Sequence, residues 1–252
     1  MIINLISGPR NISTALMYSF AQHSKIKVVD EPFYAHYLIH TGLDHPGREE
    51  TIASMSADAA EVLKEIHALE KAHEIVFLKN MAHHHEGLEW SYLNNMRNVF
   101  LIRDPKQLIA SFAQVIPNPT IQDIGLKHEA ELLDYLIENG TNPPVVIDSN
   151  DILKDPSDGL SSLCGQLGIS FEKQMLSWKN GAIPEDGVWA KYWYKNVHNS
   201  TGFAKQKTSE RPLPTHCEGL YEESLPFYEK LRKLTQPPIV PLSRGTAESR
   251  GY

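Results

Sequence analysis

Three stretches of this sequence carry residue types that can act on a phosphate-like anion. The first is Ser7-Gly8-Pro9-Arg10-Asn11-Ile12-Ser13-Thr14, which follows an apolar run and opens a helical pattern. A strand-to-helix loop of this kind aims unpaired backbone N–H groups and a helix N-terminus at one point, a setting that suits an anion. The second is Arg103-Asp104-Pro105-Lys106, with Ser111 eight residues after the arginine. A guanidinium offers a planar fork to a phosphate and a hydroxyl adds a further hydrogen bond, although Arg103 can equally pair with Asp104 or Asp148. The third is the pair Asp30-Glu31 with Lys79, each at the end of a short apolar run. Glu31 can take a proton from a reacting group, or it can cap a helix or sit in an ion pair. Asp30 beside it reads as structural.

Two further motifs point away from other chemistries. Aligned on Thr14, the first loop has Ile12 and Ser13 where a nucleoside triphosphate loop has its second glycine and its lysine, so triphosphate hydrolysis loses support. His83-His84-His85 cannot easily turn three consecutive rings to one ion, and no cysteine or acidic residue stands at zinc-like spacing from them. No metal is expected. These histidines read as a partly exposed loop near the acceptor.

The elements that must position these residues alternate between strand and helix. Residues 2–6, 26–29, 75–78, 99–102 and 145–147 are short apolar runs, each followed by polar residues. Residues 13–23 read as a helix, and 49–72 as one long amphipathic helix through Ile52, Met55, Ala59, Val62, Leu63, Ile66 and Leu69. Asp104 can cap the helix after the fourth strand, with Pro105 at its first position. Short apolar strands separated by helices imply a parallel sheet covered on both faces, with ligands held beyond the strands' carboxyl ends. Those ends are Ser7–Arg10, Asp30-Glu31, Lys79-Asn80, Arg103-Asp104 and Asp148, with Ser111 about two turns into the helix that follows Arg103. Pro32 is expected to hold Glu31 in an extended conformation. Residues 186–203 hold Trp189, Tyr192, Trp193, Tyr194 and Phe203, which reads either as a helix packed on the sheet or as a flap stacking on a base or acceptor. The expected organisation is one domain over 1–235, with a core at about 1–180, a helical and aromatic region at about 181–235, and a loosely ordered tail at 236–252.

Composition narrows the partners. Of 252 residues, 41% are hydrophobic and 22% charged, with a net charge of −7, opposite to the basic surplus that nucleic-acid binders carry. No run approaches the roughly 20 apolar residues of a membrane span. Cys164 and Cys217 are too few for a disulfide framework, and the expectation is a cytoplasmic protein acting on a small molecule, free of nucleic acid and membrane. Its oligomeric state is left open.

Together the first two motifs resemble the sulfotransferases that use 3′-phosphoadenosine 5′-phosphosulfate. Pro9-Arg10-Asn11-Ile12-Ser13-Thr14 is similar to that family's Pro-Lys/Arg-x-x-Ser/Thr-Ser/Thr loop, and Arg103 with Ser111 matches its arginine and serine eight apart. Asp30–His36, Lys79–His84 and Asp186–Ala190 resemble a narrower sulfotransferase-like group, some members of which are fused in plants to a domain resembling branched-chain aminotransferases. The resemblance implies a P-loop-like three-layer α/β sandwich, a five-stranded parallel sheet and a helical C-terminal elaboration. It implies that Gly8, Pro9, Arg10, Asn11, Ile12, Ser13 and Thr14 hold the 5′-phosphosulfate, and Arg103 and Ser111 the 3′-phosphate. The family's small-molecule enzymes carry a basic histidine two residues after the lysine of strand three, where this chain has Met81. The glutamate after strand two, which serves other members, implies Glu31 as base, with Lys79 and Arg10 stabilising the leaving group. Thr201-Gly202-Phe203-Ala204-Lys205-Gln206-Lys207 stands in for the family's C-terminal Arg-Lys-Gly, which places Phe203 at the nucleotide. The rival readings are a phosphotransferase using ATP and magnesium through Asp104 or Asp30, and a nucleotide-binding module without activity.

Overall fold

In the computed structural model, which describes residues 1–203 and 211–235, five strands form one parallel sheet. They are β1 (Ile2–Ser7), β2 (Ile26–Asp30), β3 (Ile75–Met81), β4 (Arg97–Ile102) and β5 (Val145–Asp148), in the order β2-β3-β1-β4-β5. Each runs a little longer than its apolar core suggests, because backbone pairing continues into flanking polar residues, at the carboxyl end in β1, β2, β3 and β5 and at the start in β4.

The alternation of side chains along β1 shows why both faces must be covered. Ile3 and Leu5 enter one core with Leu16, Met17 and Phe20 of the helix Ser13–Phe20 and with Leu160, Leu163 and Leu167 of the helix Pro156–Leu167. Ile2 and Ile6 enter the other, with Val62 and Ile66 of Ala59–Ala72, Leu108 and Ile109 of Pro105–Phe112, and Leu132, Leu133 and Leu136 of Leu126–Asn139. The result is three layers around β1, whose centre carries a polar ladder. Asn80 donates to Asn4 at 2.8 Å, and Asn4 donates to Asn98 at 3.1 Å. Asn98 in turn donates to the Leu93 carbonyl at 2.9 Å, while the Asn80 Oδ1 has no partner among the described residues, so the ladder ties three strands together without satisfying every buried amide group.

Two expected elements differ. The single helix over residues 49–72 is two helices, Arg48–Ser54 and Ala59–Ala72. Asp58 accepts the N–H groups of Ala60 and Glu61 and restarts the chain as an N-cap, so local capping overrides a continuous apolar period. The aromatic region is neither one helix nor a free flap. It forms two short turns of helix, Ala190–Trp193 and Lys195–His198, with Trp189 and Tyr194 buried in the core. Residues 236–252, expected as a tail, lie outside the described residues. Among the described residues, no helix is long and apolar enough to cross a membrane.

Candidate active site

The β1 loop turns sharply at Arg10, whose φ of 55° is a left-handed conformation that a non-glycine residue adopts at a cost of about 1–3 kcal/mol. Asn11 fastens the turn. Its Nδ2 donates to Leu101 O on β4 at 2.6 Å, and its Oδ1 accepts from the Ile12 N–H at 3.0 Å. The Asn11 side chain is thus committed to the loop, while Ile12 packs against the core. The helix that follows, Ser13–Phe20, has no side-chain cap, so Ser13 and Thr14 stand at a helix start whose first N–H groups await a partner.

Gly8 lies at the base of the loop. A Cβ there would come within 2.5 Å of the Ile124 carbonyl oxygen, closer than any real contact, so only glycine fits. Pro9, partly exposed, follows it into the turn.

The second motif meets the first directly. Arg10 Nε donates to Ser111 Oγ at 3.2 Å, and Arg103 Nη1 donates to the Arg10 carbonyl at 2.5 Å. Neither carboxylate considered for Arg103 takes it. Asp104 caps its helix by accepting the Gln107 N–H at 3.1 Å, and Asp148 accepts from Arg232 at 2.7 Å and Tyr228 at 3.0 Å. Among the described residues, neither Arg10 nor Arg103 forms a salt bridge. Burial and the proximity of like charge lower the proton affinity of both guanidiniums, and Arg211 contributes to each. Arg10, Arg103 and Arg211 thus gather positive charge near the uncapped start of Ser13–Phe20, which Asp104 and Asp148 oppose only at Arg103 and without an ion pair among the described residues. Arg211 had no motif to announce it in the sequence.

Beside this loop, the ends of β2 and β3 hold a buried cluster. Lys79 reaches Glu31, Asp30 at 3.3 Å and Tyr194 Oη at 2.6 Å, all within the protein interior. Its ammonium is therefore turned to carboxylates at the β2 edge. The Tyr194 hydroxyl donates to Asp30 at 2.8 Å and accepts from Trp189 Nε1 at 3.2 Å, and the Gly187 N–H donates to the other Asp30 oxygen at 3.2 Å. Burial raises the Glu31 carboxyl above its ordinary range, with Lys79 opposing and Asp30 adding to the rise. Burial also pulls the Lys79 ammonium down, but Asp30 and Glu31 outweigh it and the net direction is up. Glu31 does not keep the extended backbone expected before Pro32. Its φ is 42°, because its N–H continues the sheet by donating to Lys79 O at 2.8 Å while its side chain turns inward.

Of the three histidines, expected as a partly exposed loop, only His83 is partly exposed. Ala82–His85 is a turn of 3-10 helix, with His84 and His85 buried. His84 stacks on Tyr34 at 4.6 Å between ring centres, and its Nδ1 lies 3.8 Å from Glu31 Oε2. Burial lowers all three, His83 and His85 to about 3, so they are neutral rings at ordinary pH. The reason is packing: Tyr34, Tyr37 and Tyr92 close over them.

Phe203 sits edge-on to Trp178 at 5.2 Å, beside the Ser177–Gly202 bridge, and packs on the core. The rest of its motif, Ala204 to Lys207, lies outside the described residues. A separate cavity of about 440 Å³ opens along β5 among Asp148, Asp155, Asp158 and Arg232, and none of the expected site residues lines it.

The comparisons with known proteins bear on this arrangement as a whole. Two proteins of Arabidopsis thaliana named branched-chain-amino-acid aminotransferase-like proteins 1 and 2 are 40% and 37% identical over 232 residues, 92% of this chain. The chain spans 41% of the length of each of those relatives. The fold is similar to the sulfotransferase domain of the Synechococcus PCC 7002 olefin synthase, at a TM-score of 0.58 with 16% identity, covering 88% of this chain and 93% of that one. It is also similar to the sulfotransferase domain from the curacin biosynthetic pathway, at 0.55 with 19% identity, covering 94% and 98%. A family model described as a sulfotransferase domain matches residues 1–235, which takes in the arginine-lined loop, the β2–β3 cluster and the aromatic region together, and the chain belongs to that family.

Proposed function

We propose that this chain transfers a sulfuryl group from 3′-phosphoadenosine 5′-phosphosulfate to a hydroxyl or amine of a small acceptor. The observation that carries this reading is the pair Arg10 and Arg103, joined through Ser111 and the Arg10 carbonyl without a carboxylate partner among the described residues. Clustered guanidiniums are held apart from water only at a cost, which a bound polyanion offsets. The residues fit such a donor. The uncapped start of Ser13–Phe20 and Arg10 suit its 5′-group, and Arg103, Ser111 and Arg211 suit a 3′-phosphate.

In the reaction, a bond forms between the acceptor atom and sulfur as the bond from sulfur to the 5′-phosphate oxygen breaks. Negative charge builds on the departing bisphosphate, where Arg10 and the loop N–H groups oppose it. The acceptor's proton passes to Glu31. Lys79 occupies Glu31 Oε1 and opposes the rise that burial gives the carboxyl, leaving Oε2 to take the proton. Lys79 thereby serves the base, a role beside the leaving-group contact its motif implies.

The experiment is thermal unfolding with adenosine 3′,5′-bisphosphate and no magnesium, against adenosine 5′-monophosphate. Ligand at 100 times its dissociation constant adds about 2.7 kcal/mol, so the midpoint rises clearly for the bisphosphate and less for the monophosphate. Equal shifts would remove the 3′-phosphate site. The sealed Glu31–Lys79–Asp30–Tyr194 cluster favours a second reading, a nucleotide-binding module without turnover. Bisphosphate binding with no release of bisphosphate from the sulfated donor, across hydroxyl and amine acceptors, would select it.

A further inference from the structure

A carboxyl group lies directly beneath the β1 loop, on an element the family motifs do not touch. Glu129 belongs to the first turns of the helix Leu126–Asn139, on the apolar side that carries Leu126, Ala130 and Leu133, and its side chain is buried. Its Oε1 accepts the Gly8 N–H at 3.1 Å, and its Oε2 has no partner among the described residues.

The same helix start presses on Gly8 from a second direction. The Ile124 carbonyl stands 2.5 Å from where a Gly8 Cβ would be, and Gly125, at φ 78°, faces the Gly8 Cα so closely that its own Cβ would lie 3.1 Å away. Two glycines and one buried carboxyl therefore lock the base of the loop onto the Leu126–Asn139 helix.

We propose that Glu129 is a positioning residue for the donor's 5′-group, acting through the Gly8 N–H; this rests on the sulfotransferase reading of the loop. By occupying Gly8, Glu129 fixes the plane from which the turn at Arg10 departs, and leaves the N–H groups from Ser13 onward to meet the anion. An ionised carboxylate at this depth would oppose an anionic ligand. Burial, which only the Gly8 N–H counters, pushes the Glu129 carboxyl well above its ordinary range and so favours the neutral form of the seat.

The test compares Glu129→Gln, which keeps the shape, the neutrality and an acceptor for Gly8, with Glu129→Leu, which keeps the volume but orphans the N–H. Calorimetric titration uses adenosine 3′,5′-bisphosphate and adenosine 3′-monophosphate, the second lacking the 5′-group. Glu129→Leu should lose about tenfold or more in bisphosphate affinity and less than about threefold for the 3′-monophosphate, while Glu129→Gln stays within about threefold for both. Equal losses for both nucleotides, no loss, or a Gln variant as weak as the Leu variant would each overturn the proposal. Should the Leu variant fail to fold, amide exchange at Gly8 in the wild-type chain decides. Protection before any nucleotide is added supports the clasp, and free exchange overturns it. A wild-type chain that binds the bisphosphate no tighter than the 3′-monophosphate would overturn the underlying loop assignment, and that result is read before any variant is made.

Discussion

Arg10 Nε and Ser111 Oγ are 3.2 Å apart, across 101 residues of sequence, and this one hydrogen bond joins the loop after β1 to the helix after β4. It links the two motifs that face each other at the centre of the sheet, where β1 lies between β3 and β4.

Removing Arg103 should weaken adenosine 3′,5′-bisphosphate strongly. Truncating one side of a desolvated charged contact costs about 2–5 kcal/mol, and Arg103→Ala also frees the Arg10 carbonyl. Ser111→Ala should cost about 1 kcal/mol. Titration of both variants with the bisphosphate and with adenosine 5′-monophosphate checks this, and the monophosphate should hardly change. Parallel losses for both nucleotides would place Arg103 elsewhere than at the 3′-phosphate.

Glu31→Gln keeps the side chain's shape and removes its basicity. Turnover should fall by about 10²–10⁴ while bisphosphate affinity stays close to wild type, measured once an acceptor is in hand. His84 is the natural control, since it lies 3.8 Å from the same carboxyl but is held neutral by burial. If His84→Asn lost the activity and Glu31→Gln kept it, the base would be the histidine.

Tyr194→Phe tests the cluster's stability. The phenol accepts from Lys79 and Trp189 and donates to Asp30, and its loss leaves buried groups short of a partner at about 1–3 kcal/mol. Urea unfolding should show a lower midpoint with an unchanged slope. A midpoint equal to wild type would mean that Asp30 and Lys79 satisfy each other alone.

The buried histidines set an acid limit on stability. His85 is lowered to about 3 in the folded protein, while an unfolded histidine titrates near 6.5. Between those values the unfolded chain binds the extra proton. The contribution is therefore complete above about pH 6.5 and is lost at about 1.4 kcal/mol per unit as the pH falls below it. His85→Gln should flatten the dependence of unfolding free energy on pH by that slope between about pH 6 and 4. An unchanged slope would show that His85 is reached by protons in the folded state.

What could be read from the residues alone follows the range of the interactions. The strands announce themselves because each is a short apolar run stopped by polar residues, and Asp104-Pro105 specifies its helix start within a few positions. Tyr194 could be seen only as one aromatic among several, since its partners Lys79 and Asp30 lie 115 and 164 residues away. The burial of His84 depends on Tyr34 and Tyr37 of a separate helix, which no local pattern conveys. Glu129 did leave a signal. A glutamate stands on the apolar stripe of Leu126, Ala130 and Leu133, where an acidic side chain calls for a buried donor, which the Gly8 N–H supplies.

The central place of β1 has a consequence for synthesis. β1 ends at Ser7, and both of its neighbours come later, β3 from Ile75 and β4 from Arg97. At about 5–20 residues per second, an emerging chain carries an unpaired apolar strand for about 3–14 seconds before the first residue of β3 is made. Ser111, which receives the Arg10 guanidinium, leaves the ribosome later still. The loop that would grip the nucleotide is thus translated well before the elements that set it, and the nascent chain depends on whatever shields Ile2 to Ile6 in the interval.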